Sequence, residues 1–294
     1  MPLLPKTPSL SRRTLLRGLG GSAALGTLAG CGVPAAYVAP GDRAATDRSA
    51  TERRLTWANW PLYIDTDDKR PSRRPTLEAF EKETGISVDY IEEINDNDEF
   101  FGKISPSLMN HQPTDRDLIV ISDWMCGRFV RLGWVQEMDR SHQPNVTEYL
   151  DPLLRSPAFD PGRKFTVPWQ SGITGIAYNR RRLGREIRHV SDLWAESLMI
   201  PDLARHKANA ERLIDHYYRP EVAAELAAWV NYVCPVPAAQ DVLASSDDEE
   251  RAALAEDPLI FPDAAMRERL AIARDISAGE RAEFAKRWNG IVGV

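Results

Sequence analysis

Apolar and polar positions along residues 54–236 alternate between a two-residue and a helical period. Residues 54–60 (RLTWANW) set Leu55, Trp57 and Trp60 among polar neighbours and predict a strand leaving into a loop. A basic, proline-bounded loop spans 69–75. Residues 76–84 carry Leu77 and Phe80 at helical spacing, with Gly85 placed to end the helix. Residues 86–91 (ISVDYI) alternate as a strand. Asp96 followed by Glu99 resembles a capping box and predicts a helix through Met109. The short apolar run 117–121 (DLIVI) fits a buried parallel strand. A short helix at 128–132 is stopped by Gly133. Two further strands are expected at 164–169 and 173–178, broken around Gly172. Helices are expected at 207–218 and 220–232, with Pro220 where a helix accepts proline. Residues 238–290 read as mostly helical. Strand, helix, strand, helix, strand is the pattern of an open α/β sheet.

The first thirty residues stand outside that pattern. Residues 11–17 (SRRTLLR) form a twin-arginine export pattern, followed by an uncharged stretch to Leu28. Leu28, Ala29, Gly30 and Cys31 resemble the lipobox of bacterial lipoproteins, which places the cut before Cys31 and lipid on its thiol. Residues 1–30 are therefore expected to be a signal peptide, and 31–53 a flexible tether.

Composition narrows the function. The chain has 294 residues, 43% of them hydrophobic, which fits a globular body of two domains or lobes. No apolar run approaches the ~20 residues of a transmembrane helix. The signal holds four basic residues and no acid, so its removal takes the net charge from −6 to −10. An acidic body argues against nucleic-acid binding and is compatible with a cationic ligand. In an oxidising compartment Cys126 and Cys234 could form a disulfide or remain buried thiols.

Several segments together carry a family resemblance: RLTWANWPLY at 54–63, FEKETGISVDY at 80–90, DLIVISDW at 117–124, LGWVQEM at 132–138, FTVPWQSGITGIAYN at 165–179, and residues 204–235. In this order, behind a lipoprotein signal, they resemble the spermidine/putrescine-binding proteins of bacterial ABC importers. The resemblance implies an α/β, periplasmic-binding-protein-like two-lobe fold and a non-enzymatic receptor. It also implies export to the outer face of the cytoplasmic membrane, and permease and ATPase subunits as partners.

A polyamine is an alkyl chain punctuated by ammonium groups. Aromatic faces can hold both parts, and carboxylates fix the amines. Such groups belong at the carboxyl ends of the strands of an open sheet. Trp60, Tyr63, Ser122 and Trp124 fall on positions that contact ligand in the family, although core packing or loop anchoring would also explain them. Asp123 is added for its chemistry; a helix N-cap is its other role.

The chain also departs from the family. Pro61 and Leu62 stand where a carboxylate often lies. Residues 191–194 (SDLW) and 197–201 (SLMIP) are separated by Ala195 and Glu196 alone, where the family has a long stretch of the second lobe with acidic ligands and a tryptophan. With the first lobe at 54–165 and 197–250, residues 166–196 and 251–294 leave 75 for a truncated second lobe, against ~100 or more for a typical domain. Trp194 and Glu196 could imitate the lost aromatic–acid pair. Other expected classes are a receptor for another cationic or polar solute, or a single-lobe remnant without transport activity.

No cofactor or metal is expected. The histidines at 111, 142, 189, 206 and 216 lack metal-ligand spacing and read as surface residues. Counting from Asp96, Phe101 replaces the glycine of a calcium loop and Ser107 its closing glutamate. There is no nucleophile elbow and no phosphate-binding glycine loop. Arg180 to Arg182 read as an exposed face.

Overall fold

β3 (Leu118–Ser122) is buried at every position, and its side chains divide between two cores. Leu118 and Val120 join one apolar cluster, Ile119 and Ile121 the other. That alternation is the pleat of a strand covered on both faces. The computed structural model describes residues 45–175, 179–184, 191–272 and 278–292. The signal, Cys31 and the first part of the expected tether lie outside them.

β1 (Arg54–Asn59) pairs in parallel with β2 (Ser87–Glu92) and with β3. α1 (Pro75–Thr84) and α2 (Asn97–Met109) make the crossovers. α1 ends on Gly85 at φ 67°, and α2 begins on Asp96, whose carboxylate accepts from Glu99 N–H at 2.9 Å. α3 (Asp123–Leu132) leaves β3 at once and ends on Gly133, also at φ 67°. Both glycines supply the left-handed cap that L-residues avoid. After the short α4 (Pro144–Tyr149), β4 (Thr166–Thr174) enters the sheet; a one-turn helix α5 (Arg180–Leu183) precedes β5 (Ser191–Met199). α6 (Lys207–Tyr217) and α7 (Pro220–Val230) pack their apolar sides on the first core. Short helices α8 (Ala239–Ala244), α9 (Glu249–Ala253) and α10 (Ala264–Arg267) follow, then β6 (Leu270–Ile272) and α11 (Ala278–Val292). No described helix is long and apolar enough to cross a membrane.

The sheet order is β2-β1-β3-β5-β4. β5 runs antiparallel to both neighbours, and β6 pairs with its Ser191–Leu193 end, beyond the reach of β3. Where a long excursion into a second lobe was expected to be missing, β5 passes without interruption from Ser191 to Met199.

Three expectations need correction, and the open alternative at Cys126 and Cys234 is answered. The strands anticipated on either side of Gly172 are one strand, with its irregularity between Pro168 and Gln170; Gly172 sits inside it because the Trp194 ring covers its backbone. The tether does not extend to residue 53. Ser49 is buried, Arg48 N–H donates to the Arg205 carbonyl at 2.7 Å, and Asn209 N–H donates to Ser49 Oγ at 3.0 Å. Cys126 and Cys234 are both free and buried. They belong to different cores, and each thiol lies against backbone carbonyls, Ile121 and Ser197 for Cys126 and Val236 for Cys234. His206 and His216 are buried, not on the surface. His206 bridges Asp117 and Glu52 at 2.9 and 3.1 Å, and His216 faces the Thr76 carbonyl at 3.1 Å.

Candidate functional site

The carboxyl end of β3 meets the middle of β5. Ser122, the last residue of β3, lies opposite Glu196, which on its other side lies opposite Gln170 of β4. Register therefore places the three side chains on one face. Ser122 is fixed by Asn97, whose amide donates to Ser122 Oγ at 2.8 Å and accepts its N–H at 3.0 Å. Ser122 Oγ in turn donates to Glu196 Oε1 at 2.6 Å.

The other oxygen, Glu196 Oε2, has no partner, and Glu196 is only 5% exposed. The Trp60 indole N–H is also unpartnered. It lies close enough to favour the Glu196 charge without completing a hydrogen bond. Gln170 Oε1 is a third buried atom without a partner. Burial pushes the Glu196 carboxyl up to about 7, against the Ser122 hydrogen bond, and the Asp123 charge adds to the rise. Burial, followed by the Glu196 charge, raises the Tyr63 hydroxyl well above its ordinary range.

Four half-buried rings continue from this carboxylate. Asn59 Oδ1 accepts Trp60 N–H at 2.8 Å where β1 ends. The chain then turns through Leu62 at φ 64°, and the Tyr63 carbonyl accepts from Trp169 Nε1 at 3.1 Å. Trp60 and Tyr63 have ring centroids 6.2 Å apart, Tyr63 and Tyr232 5.8 Å, and Tyr232 and Trp194 6.0 Å. Trp194 and Glu196 are two residues apart on β5 and share a face.

Of the five residues expected here, Trp60, Tyr63 and Ser122 converge on Glu196. Trp124 lies in the first turn of α3, 47% exposed as a residue, outside the row of four. Asp123 must be corrected. It does not cap the helix; Ser122 occupies the N-cap position. Nor is it free for a ligand, because Arg163 Nη1 and Nη2 reach its two oxygens at 3.1 and 3.0 Å and Ser197 Oγ donates to Oδ1 at 2.5 Å. Arg163 is itself 2% exposed. Sequence reasoning gave Trp194 and Glu196 little weight and missed Tyr232. The available signal was the Trp-x-Glu spacing in a strand.

The described residues contain no group of three or more His, Cys, Asp or Glu placed to hold a metal. A concavity of about 920 Å³ lies elsewhere, between the 65–68 loop, α7 and α9. Several of its acids are already engaged: Asp65 with Thr76, Asp67 with Arg70, and Glu225 with Arg251. Three of the buried atoms without a partner, Glu196 Oε2, Trp60 Nε1 and Gln170 Oε1, lie together at the Glu196 edge instead.

No family model matches the chain. It is 28% identical over 186 residues to spermidine/putrescine-binding periplasmic protein 1 of Haemophilus influenzae, covering 60% of this chain and 50% of that protein. It is 35% identical over 133 residues to a putrescine-binding periplasmic protein of Escherichia coli, covering 45% and 32%. The chain is similar to the spermidine/putrescine-binding periplasmic proteins. It spans half or less of the length of these curated relatives. Among solved structures, the spermidine/putrescine ABC transporter substrate-binding protein of Streptococcus pneumoniae superposes with a TM-score of 0.65 at 19% identity, covering 79% of this chain and 96% of that one. A putative spermidine/putrescine ABC transporter from Listeria monocytogenes gives 0.61 at 20%, covering 80% and 97%. The fold is that of the periplasmic binding proteins, and the partial coverage in sequence fits a shortened second lobe.

Proposed function

We propose that this chain is a non-enzymatic solute receptor for amines of the polyamine type. It works outside the cytoplasm with an ABC permease and ATPase, held at the outer membrane face by lipid on Cys31. The observation that carries the reading is the unpartnered oxygen of buried Glu196 at the head of a row of four aromatic rings. A carboxylate left half-satisfied in low dielectric gains most from an ammonium that completes its hydrogen bonds. The rings suit the alkyl body and add cation–π attraction. The named relatives and the export pattern support the same reading.

The expected division at 165/166 and 196/197 does not hold, because β4 and β5 belong to the same sheet as β1 to β3; in this reading most of a second lobe is missing and the ligand stays partly open to water. Exposed ion pairs contribute ~0–1 kcal/mol, so binding is weak and salt-sensitive. A remnant without transport activity is the second reading, favoured by Phe284, Trp288 and Ile291, which lie exposed along α11. Thermal-shift titration of the full chain with spermidine, putrescine, thiamine and amino acids separates the two. A receptor responds to the amines and loses the response in Glu196→Gln; a remnant responds to none. Membrane fractionation of Cys31→Ser checks the anchor, with release expected and unchanged retention against it.

A further inference from the structure

Ser122 stands between Asn97 and Glu196, and its backbone decides what each contact does. The Ser122 N–H can only donate, and it meets Asn97 Oδ1 at 3.0 Å. That contact settles which way the Asn97 amide faces, because the reverse orientation would set Nδ2 against another donor. Nδ2 is thereby placed 2.8 Å from Ser122 Oγ, where it donates. A serine hydroxyl has one hydrogen to give. With Asn97 supplying one from its side, Ser122 Oγ sends its own to Glu196 Oε1 at 2.6 Å. A one-way chain of donors thus runs from Asn97 through Ser122 to one oxygen of Glu196. The other oxygen, Oε2, has no partner.

The start of α2 holds the first member of this chain. Asn97 is the first residue of the helix and is half-buried. It follows the Asp96 cap, whose bond from Glu99 N–H fixes the opening turn. Its side-chain amide is directed across to the end of β3.

We infer that Asn97 is a positioning residue of the amine site: by turning the Ser122 hydroxyl onto Glu196 Oε1, it reserves Oε2 as the acceptor for an N–H of the ligand. This rests on the amine-receptor reading above and deepens it. Freed of Asn97, the Ser122 hydroxyl can turn its hydrogen elsewhere and offer Glu196 a lone pair. The charged carboxylate then loses support, and Oε1 competes with Oε2 for the ligand.

The test is a mutant cycle on the full chain, read by the carbon-13 titration midpoint of the Glu196 carboxyl and by calorimetry with putrescine. Asn97→Ala is expected to raise the midpoint by about half a unit or more and to weaken putrescine binding at neutral pH about twofold or more. Ser122→Ala is expected to raise the midpoint at least as far. In a Ser122→Ala chain, adding Asn97→Ala should move neither reading further, since Asn97 acts through the hydroxyl. A purely structural role would lower stability and leave the midpoint in place. An unmoved midpoint in Asn97→Ala, or an equal shift with and without the Ser122 hydroxyl, overturns the inference and leaves the amine receptor standing. The unaltered chain supplies a reading that needs no substitution. There the Asn97 side-chain amide resonance should titrate with the midpoint of Glu196, and an amide that stays flat while Glu196 titrates overturns the inference. Failure of putrescine to bind the unaltered chain overturns the receptor reading and this inference with it.

Discussion

The two ends of the central sheet treat buried carboxylates in opposite ways. At the amino end of β3, Asp117 accepts from the N–H groups of Thr56, Arg205 and His206 and faces His206 Nδ1, all within 3.1 Å. Beside the start of β4, Asp160 accepts from three successive backbone N–H groups, Lys164 to Thr166, and from Thr166 Oγ1. At the carboxyl end, Glu196 has one hydrogen bond and an idle oxygen. All three side chains are buried. Burial of a carboxylate therefore does not distinguish scaffold from site here; completeness of its hydrogen bonding does.

The largest effect should come from the amino end. Asp160→Ala strands four donors, two of them buried and two part-buried, and is expected to cost about 3–5 kcal/mol, read by urea unfolding. A cost below ~1 kcal/mol would mean that these bonds do not hold the end together.

Glu196→Gln should behave in the opposite sense. The folded chain holds this carboxyl at about 7, above the 4.5 expected when unfolded. Folding therefore favours the protonated form. Stability is highest below the unfolded value, falls as pH rises through 4.5 to 7, and is flat above. The full loss is of the order of 3 kcal/mol. Unfolding curves at pH 5 and pH 8 should show Glu196→Gln lacking this decline and more stable than the unaltered chain at pH 8. Parallel pH dependence in the two chains would remove the contrast between the ends.

Gly172→Ala sharpens the comparison further. A Cβ there would penetrate the Trp194 ring, and displacing the ring should cost about 1–3 kcal/mol. Thermal melting gives the cost, and tryptophan fluorescence reports the moved ring. An unchanged spectrum would place Trp194 elsewhere. The mildest test leaves the described residues unaltered. In a Cys31→Ser chain, Cys126 and Cys234 should resist thiol reagents while folded, since burial raises both thiol pKa values, and both should react on unfolding without reductant. A count of zero would restore the disulfide.

Much of the fold was legible because its elements are strongly patterned. The apolar run at 118–121, the Asp96–Glu99 cap and the Gly85 and Gly133 stops each fix an element by local chemistry. β4 was split in two because glycine ordinarily weakens a strand; its reason here is a tryptophan on the neighbouring strand, which no local pattern reveals. The same limit applies at the site. Trp60, Tyr63 and Ser122 could be placed because they stand at strand ends and fall on positions that contact ligand in the family the chain resembles. Asp123 looked equally suitable until Arg163, forty residues later, was seen to occupy it. Tyr232 reaches the rings through tertiary packing alone.

The central claim is that Glu196 is a half-satisfied carboxylate waiting for a cation, and a carbon-13 NMR titration of its side-chain carboxyl tests it most directly. Without ligand the midpoint should lie near 7. With saturating putrescine it should fall by about one unit or more, because an ammonium stabilises the charged form. A midpoint near 4.5 in the free chain, or one near 7 that amine leaves unmoved, would contradict the account.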